Sequence, residues 1–252
     1  MFGMGEEPLK GKVAVVTGAS RRIGRATALG LANAGADIVV HAHRAKGEIE
    51  AVGDEVRALG RRALVHLADL TNEAAVVAFR DAVEAEFGRT DILVNNAAIR
   101  RQCAFLDMTF DQWREIMAIT ADAAFLTTRA FLPMMIAAGG GTIVNLGGLT
   151  AHTGAMRRAH VVAGKAAIVG LTKALAIEFA DRGITVNCVA PGKIGGERSA
   201  TAGISPVSAD DIPLGREGDI EEAAYVICAM CMPGARFMTG QTVHVSGGLY
   251  LP

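Results

Sequence analysis

Short apolar runs alternate with longer amphipathic stretches along nearly the whole chain. The first run, Val13-Ala-Val-Val16, stops at Thr17-Gly18, and a helical pattern opens near Arg22. A second strand is predicted over 35–41, followed by a helix over 46–59 that Gly60 closes. A third strand covers 62–67, a helix runs from Thr71-Asn72-Glu73 to Phe87-Gly88, and 91–94 is a short buried strand. Beyond it come a long helix over 110–138, a strand over 141–146, a second long helix over 155–180 and a strand over 184–189. Residues 191–218 have no period and are rich in proline and glycine. A loop of that length in a compact domain reads as a lid over a substrate site. A helix over 220–232 and a strand over 241–245 complete the series. Strands and helices at this spacing predict an α/β fold, a doubly wound seven-stranded parallel sheet with helices on both faces. The expected organisation is one domain over 1–252, with 1–9 as a flexible lead-in and no internal repeat.

Composition narrows the function. The chain has 252 residues, 51% of them hydrophobic, and its core needs no disulfide or metal staples. A formal net charge of −1 carries no nucleic-acid footprint. No apolar run reads as long enough to span a membrane and no signal-peptide layout is present, so a cytoplasmic protein without a membrane partner is expected. Four cysteines are too few for a disulfide scaffold; Cys228 and Cys231 have a redox spacing but lie in an apolar helical pattern and read as buried thiols. No metal site is predicted.

The stretch from Val13 to Ala26 joins a strand, a glycine turn and a helix N-terminus. Backbone N–H groups at such a turn, with the positive end of a helix dipole behind them, suit the pyrophosphate of a dinucleotide. The motif has weight because it follows a strand and opens a helix.

Further pieces extend the pattern: Gly24 after the turn, Ala68-Asp69-Leu70, Asn95-Asn96-Ala97, Lys165, Asn187 through Pro191-Gly192, and Thr239-Gly240 ahead of Gly247-Gly248. Together they resemble the short-chain dehydrogenase/reductase family over essentially the whole chain. The resemblance implies a Rossmann fold, a nicotinamide cofactor and a homotetramer or homodimer. It places Gly18, Ser20, Arg21, Arg22, Ile23 and Gly24 at the pyrophosphate. It gives Asp69, with Leu70, the adenine amino group, and lets Asn96 and Ala97 pass the adenine ribose. Lys165 binds the nicotinamide ribose, and Pro191 and Gly192 belong to the same site. Arg22 stands where the family usually has glycine, a form similar to the pteridine reductases, which use NADPH. His43 and Arg44 after the second strand agree, with Arg21 available from the turn. Guanidinium groups match a 2′-phosphate, whereas an NAD site would more often carry a carboxylate there. The expected cofactor is therefore NADP(H).

The same resemblance implies a tyrosine proton donor four residues before Lys165, a serine thirteen before that tyrosine, and an upstream asparagine. This chain has Val161, Gly148 and Thr120 at those positions, and its only tyrosines are Tyr225 and Tyr250. A positioned general acid contributes roughly 10²- to 10⁴-fold, so the usual route to ketone reduction is not expected. His152 and Thr150 are the candidate substitutes, with Lys165 as the third catalytic candidate; His160 is expected to face solvent or a neighbouring subunit. Arg100, Arg101, Arg157 and Arg158 should surround the mouth and favour a small anionic substrate. Two functions follow: an NADP(H)-dependent oxidoreductase with a non-standard proton path, or a catalytically silent NADPH-binding regulator or partner subunit. A lyase or isomerase reusing the pocket is a third.

Overall fold

A computed structural model describes residues 7–196, 203 and 207–252. Seven strands form one parallel sheet in the order β3-β2-β1-β4-β5-β6-β7. The strands are β1 (Val13–Val16), β2 (Asp37–Ala42), β3 (Ala63–Leu67), β4 (Ile92–Asn95), β5 (Gly141–Leu146), β6 (Ile184–Pro191) and β7 (Thr242–Val245). Because side chains alternate across a strand, β1 sends Ala14 and Val16 into one core and Val13 and Val15 into the other. The first core is covered by α1 (Arg22–Asn33), α2 (Lys46–Ala58) and α8 (Ile220–Cys231). The second is covered by α3 (Glu73–Phe87) and α5 (Ala123–Ala137), with α7 (Ala159–Glu178) beside them on β6. Local signals set several ends: Asn72 accepts from Ala75 N at the start of α3, and Gly88 ends that helix in a left-handed conformation at φ 68°.

The helix expected over 110–138 is one rod with a defect. It consists of α4 (Phe110–Met117), a π-helical turn over Ala118–Asp122, and α5. The wide turn pushes Thr120 against α7, where a Cβ on Gly164 would lie only 3.1 Å from Thr120 Cβ. The helix expected over 155–180 begins instead at Ala159. Gly154 at φ 74° and Arg157 at φ 58° break the chain between it and a single turn, α6 (Thr150–Thr153).

Three other expectations need correction or qualification. The flexible lead-in does not reach residue 9: Leu9 is buried and its N–H donates to Ala34 O at 2.8 Å, because it closes the end of the first core. Residues 1–6 lie outside the described residues, as do 197–202 and 204–206 of the expected lid. The described ends of that lid are tied together, Gly195 N to Gly218 O at 2.9 Å and Gly218 N to Lys193 O at 3.0 Å. Finally, α7 is long and apolar enough to cross a membrane, with a mean hydropathy of 1.4 over its best window. It packs on β5 and β6 through buried positions that include Val161, Ile168 and Ala176, with 39% of that window buried within the chain.

Between sheet and helices runs a buried polar chain. Asn95 Nδ2 donates to Asn145 Oδ1 (2.8 Å) and Thr128 Oγ1 (3.0 Å), and Asn95 Oδ1 accepts from Thr127 (2.7 Å). Asn145 Nδ2 donates onward to Thr172 on α7 at 3.0 Å. The chain locks β4, β5, α5 and α7 in one arrangement. Asn95→Ala should therefore destabilise the fold by roughly 2 kcal/mol or more in urea titration, since it leaves Asn145 Oδ1 and Thr128 Oγ1 without the Asn95 donor while Thr127 keeps its bond to Ala123 O. A loss below about 1 kcal/mol would contradict that role.

Candidate functional site

The strand order reverses direction between β1 and β4, and a cleft of about 810 Å³ opens at their carboxyl ends. Parallel sheets bind ligands at this kind of switch point. Its floor is the turn from β1 to α1. A Cβ on Gly24 would meet Gly18 O at 2.3 Å and Asn96 Nδ2 at 2.5 Å, and one on Gly18 would meet Ala97 Cα at 2.9 Å. Asn96 clamps this turn, its Nδ2 donating to Thr17 O and Gly18 O, both at 2.9 Å. Thr17 Oγ1 accepts from Asn96 N (3.0 Å) and Ala97 N (3.1 Å). Thr17 is a site-building residue that the sequence motif carried without a role.

Every residue expected at the cofactor lines this one cleft. Gly18, Ser20, Arg21, Arg22, Ile23 and Gly24 form its floor, and His43, Arg44, Asp69 and Leu70 its outer end. Asn96 and Ala97 line the middle, with Lys165, Pro191 and Gly192 at the inner end. Arg22 adopts φ 52°, a conformation that favours glycine, and its guanidinium donates to Ile194 O at 3.2 Å. Arg22 thus ties the turn to the segment after β6. Arg21, His43 and Arg44 are exposed and form a basic rim. Asp69 Oδ1 accepts from Thr71 N (3.0 Å) and Thr71 Oγ1 (2.7 Å), which hold its carboxyl below the usual range.

His41 was not foreseen, because nothing in an alternating strand distinguishes a buried histidine. It is 1% exposed; its Nε2 lies 3.0 Å from Ala68 O, and its Nδ1 accepts from Gly18 N at 3.3 Å. Burial depresses its pKa to about 4, so the ring is neutral and serves both contacts.

At the inner end stands Lys165, buried, its Nζ donating to Leu146 O. Burial lowers its pKa to about 7, and Arg100 adds to the effect. One turn earlier, Val161 is 4% exposed and presents only methyl groups to the cleft. Gly148 lies opposite, where a Cβ would meet only Lys165 Cγ, at 3.8 Å. Thr120 is buried in the π turn beside Gly164 and does not line the cleft. Thr150, at the head of α6, does.

The remaining candidates separate. His152 is outside the cleft: the single turn of α6 aims it at the end of β7, against His244 (ring centroids 4.5 Å apart) and Tyr250 (5.4 Å). His160 is fully buried, not solvent-facing, so it belongs to the packing of α7. Arg100, Arg101 and Arg158 line the mouth, whereas Arg157 turns away with its strained backbone. Tyr225 is exposed on α8 and Tyr250 packs with the histidine pair, so among the described residues no tyrosine lines the cleft.

Comparison with known proteins agrees with this architecture. A family model described as enoyl-(acyl carrier protein) reductase matches residues 18–250. The 3-oxoacyl-(acyl-carrier-protein) reductase of Vibrio cholerae is 37% identical over 250 residues, covering 96% of this chain and 99% of the relative. Acetoin dehydrogenase from Salmonella typhimurium superposes with a TM-score of 0.87 at 36% identity, over 94% of this chain and 95% of that one. A blue fluorescent protein from a metagenomic library, solved in complex with NADPH, gives 0.88 at 33% identity, over 97% and 100%. The chain belongs to this reductase family, within the short-chain dehydrogenase/reductase proteins.

The turn's dependence on a neutral His41 has a pH signature. The unfolded chain takes up this proton near 6.5 and the folded chain only near 4. The stabilisation is complete above 6.5 and is lost as pH falls towards 4, by at most on the order of 3 kcal/mol. His41→Phe should cost roughly 1–3 kcal/mol at neutral pH by orphaning Gly18 N and Ala68 O. It should also make the acid-side slope of stability shallower in urea titrations; an unchanged slope would contradict the assignment.

Proposed function

We propose that the chain is an NADP(H)-dependent oxidoreductase that acts on a small molecule without a serine–tyrosine pair. The observation that carries this reading is the continuity of one cleft. It runs from a glycine turn with a basic rim to a buried lysine, and its reacting end is lined by Val161 and Gly148. The reductase names of the relatives and the NADPH in one neighbour support the same cofactor.

The residues fit that cofactor. The turn leaves no room for a Cβ at Gly18 or Gly24, as close approach of a pyrophosphate to bare backbone requires. Arg21, His43 and Arg44 would hold the 2′-phosphate, Asp69 the adenine side, and Lys165 the nicotinamide ribose. When bound, the nicotinamide supplies or accepts a hydride. Around it the chain offers a dry wall at Val161, an amine at Lys165 whose pKa burial lowers to about 7, and the Thr150 hydroxyl. Positively charged Arg100, Arg101 and Arg158 draw an anionic substrate to the mouth. The exposed Ala166 and Ala167 on α7 suit close packing of a second copy, in a homodimer or homotetramer.

The second reading, a silent NADPH-binding regulator or partner subunit, is favoured by the same Val161 and Gly148. Two measurements separate the readings. Fluorescence titration should show NADPH binding roughly tenfold or more tighter than NADH, with Arg44→Glu reversing the preference. Preference for NADH in the unaltered chain would refute the cofactor assignment. Nicotinamide oxidation against a carbonyl and imine panel should then show turnover; tight binding with none would favour the silent role. Gly148→Ser with Val161→Tyr should raise ketone reduction by roughly 10²-fold or more, since the Gly148 site has room for a side chain. No gain would show that more than the acid has changed.

A further inference from the structure

Lys165 stands apart from the other five lysines of the chain. Lys10, Lys12, Lys46 and Lys193 are ion-paired to Glu7, Asp91, Glu50 and Glu217, and Lys173 is exposed on α7. Lys165 is 6% exposed, and among the described residues no carboxylate lies within ion-pair distance of it. Its Nζ donates to Leu146 O, a neutral acceptor. Burial without a counter-charge disfavours the ammonium, and the pKa falls to about 7. The amine is nevertheless approachable, because it lines the cleft of about 810 Å³. Val161, one turn earlier on the same helix, offers methyl groups and no hydroxyl to compete for the Nζ lone pair. At Gly148 an added carbon would meet nothing but Lys165 Cγ, at 3.8 Å, so a carbon fits beside the lysine stem without displacing any atom.

We propose that, in the cofactor-free cleft, Lys165 is a nucleophile that captures a small unbranched aldehyde as an imine. A desolvated lysine amine in an apolar pocket is suited to this step. The Nζ lone pair bonds to the carbonyl carbon while the C=O π pair moves to oxygen. That oxygen collects the two amine protons and leaves as water, and a C=N bond replaces the C=O bond; nothing is oxidised or reduced. When protonated, the new nitrogen keeps one N–H, enough to hold the bond to Leu146 O. Burial of Nζ restricts the partner to an aldehyde without a branch beside its carbonyl. This capture goes beyond the oxidoreductase reading, and it uses the same amine that the reading gives to the nicotinamide ribose, so NADPH should compete with it.

The test treats the full chain, without cofactor at pH 7, with propanal and sodium cyanoborohydride, which reduces an imine to a stable secondary amine. Peptide mass spectrometry then gives the labelling rate at each lysine. Lys165 should be labelled at least about threefold faster than exposed Lys173 on the same helix. A smaller ratio, or no label at Lys165, would overturn the proposal. Gly148→Val, which fills the space beside the lysine stem, should slow Lys165 by about threefold or more and leave Lys173 unchanged. An unchanged rate at Lys165 would overturn the entry route, and if that variant fails to fold, the ratio in the unaltered chain decides. Saturating NADPH should slow Lys165 alone, by about threefold or more. Undiminished labelling with NADPH bound would remove Lys165 from the ribose and overturn that assignment, while the capture itself stands or falls on the cofactor-free ratio.

Discussion

The contact on which this site depends is the approach of backbone to backbone at the first turn. Gly18 and Gly24 sit so close to Asn96 and Ala97 that a single Cβ would force β1, α1 and the end of β4 apart. Asn96 and Thr17 convert that closeness into hydrogen bonds, and His41 adds another from β2. Three strands thus hold one turn in place. The cleft keeps its shape because the polar groups of the turn are satisfied by the protein itself, leaving the α1 terminus facing outward.

From that floor the cleft divides by charge. Its outer end is basic and wet, with exposed Arg21, His43 and Arg44. Its inner end is basic and dry, with Arg158 and Lys165 both nearly inaccessible. Burial of a cation in apolar surroundings is costly, and at Lys165 it draws the pKa down to about 7. Val161 between them gives the reacting end a wall without a proton, and Gly148 opposite leaves room. A cleft with a glycine turn at one end, two buried cations at the other and, among the described residues, no tyrosine lining it is the physical basis of the proposed function.

Much of this was legible in the residues. Period and spacing locate all seven strands to within a residue or two, since buried parallel strands are short apolar runs between unmistakable helices. That the residues expected at the cofactor would line one cleft was also legible, because a glycine turn works through backbone geometry that sequence encodes directly. What was hidden depends on contacts between distant segments. The π turn at Ala118–Asp122 inserts one residue without disturbing the apolar pattern, and only Gly164 across the interface reveals why it fits. The break before α7 lies in a left-handed Arg157, a conformation no arginine advertises. His152 is turned away by a four-residue helix towards His244, more than ninety positions later. Leu9 and His160 are buried by partners that linear order does not place beside them.

A crystal structure of the chain with NADPH bears most directly on the whole account. The 2′-phosphate is predicted beside Arg21, His43 and Arg44, and the nicotinamide ring beside Val161 and Gly148, with Lys165 on its ribose. No tyrosine hydroxyl, from this copy or a neighbouring one, should lie within hydrogen-bond reach of the ring's reacting face. A blocked cleft, or a phenol from an adjoining subunit set against that ring, would contradict it.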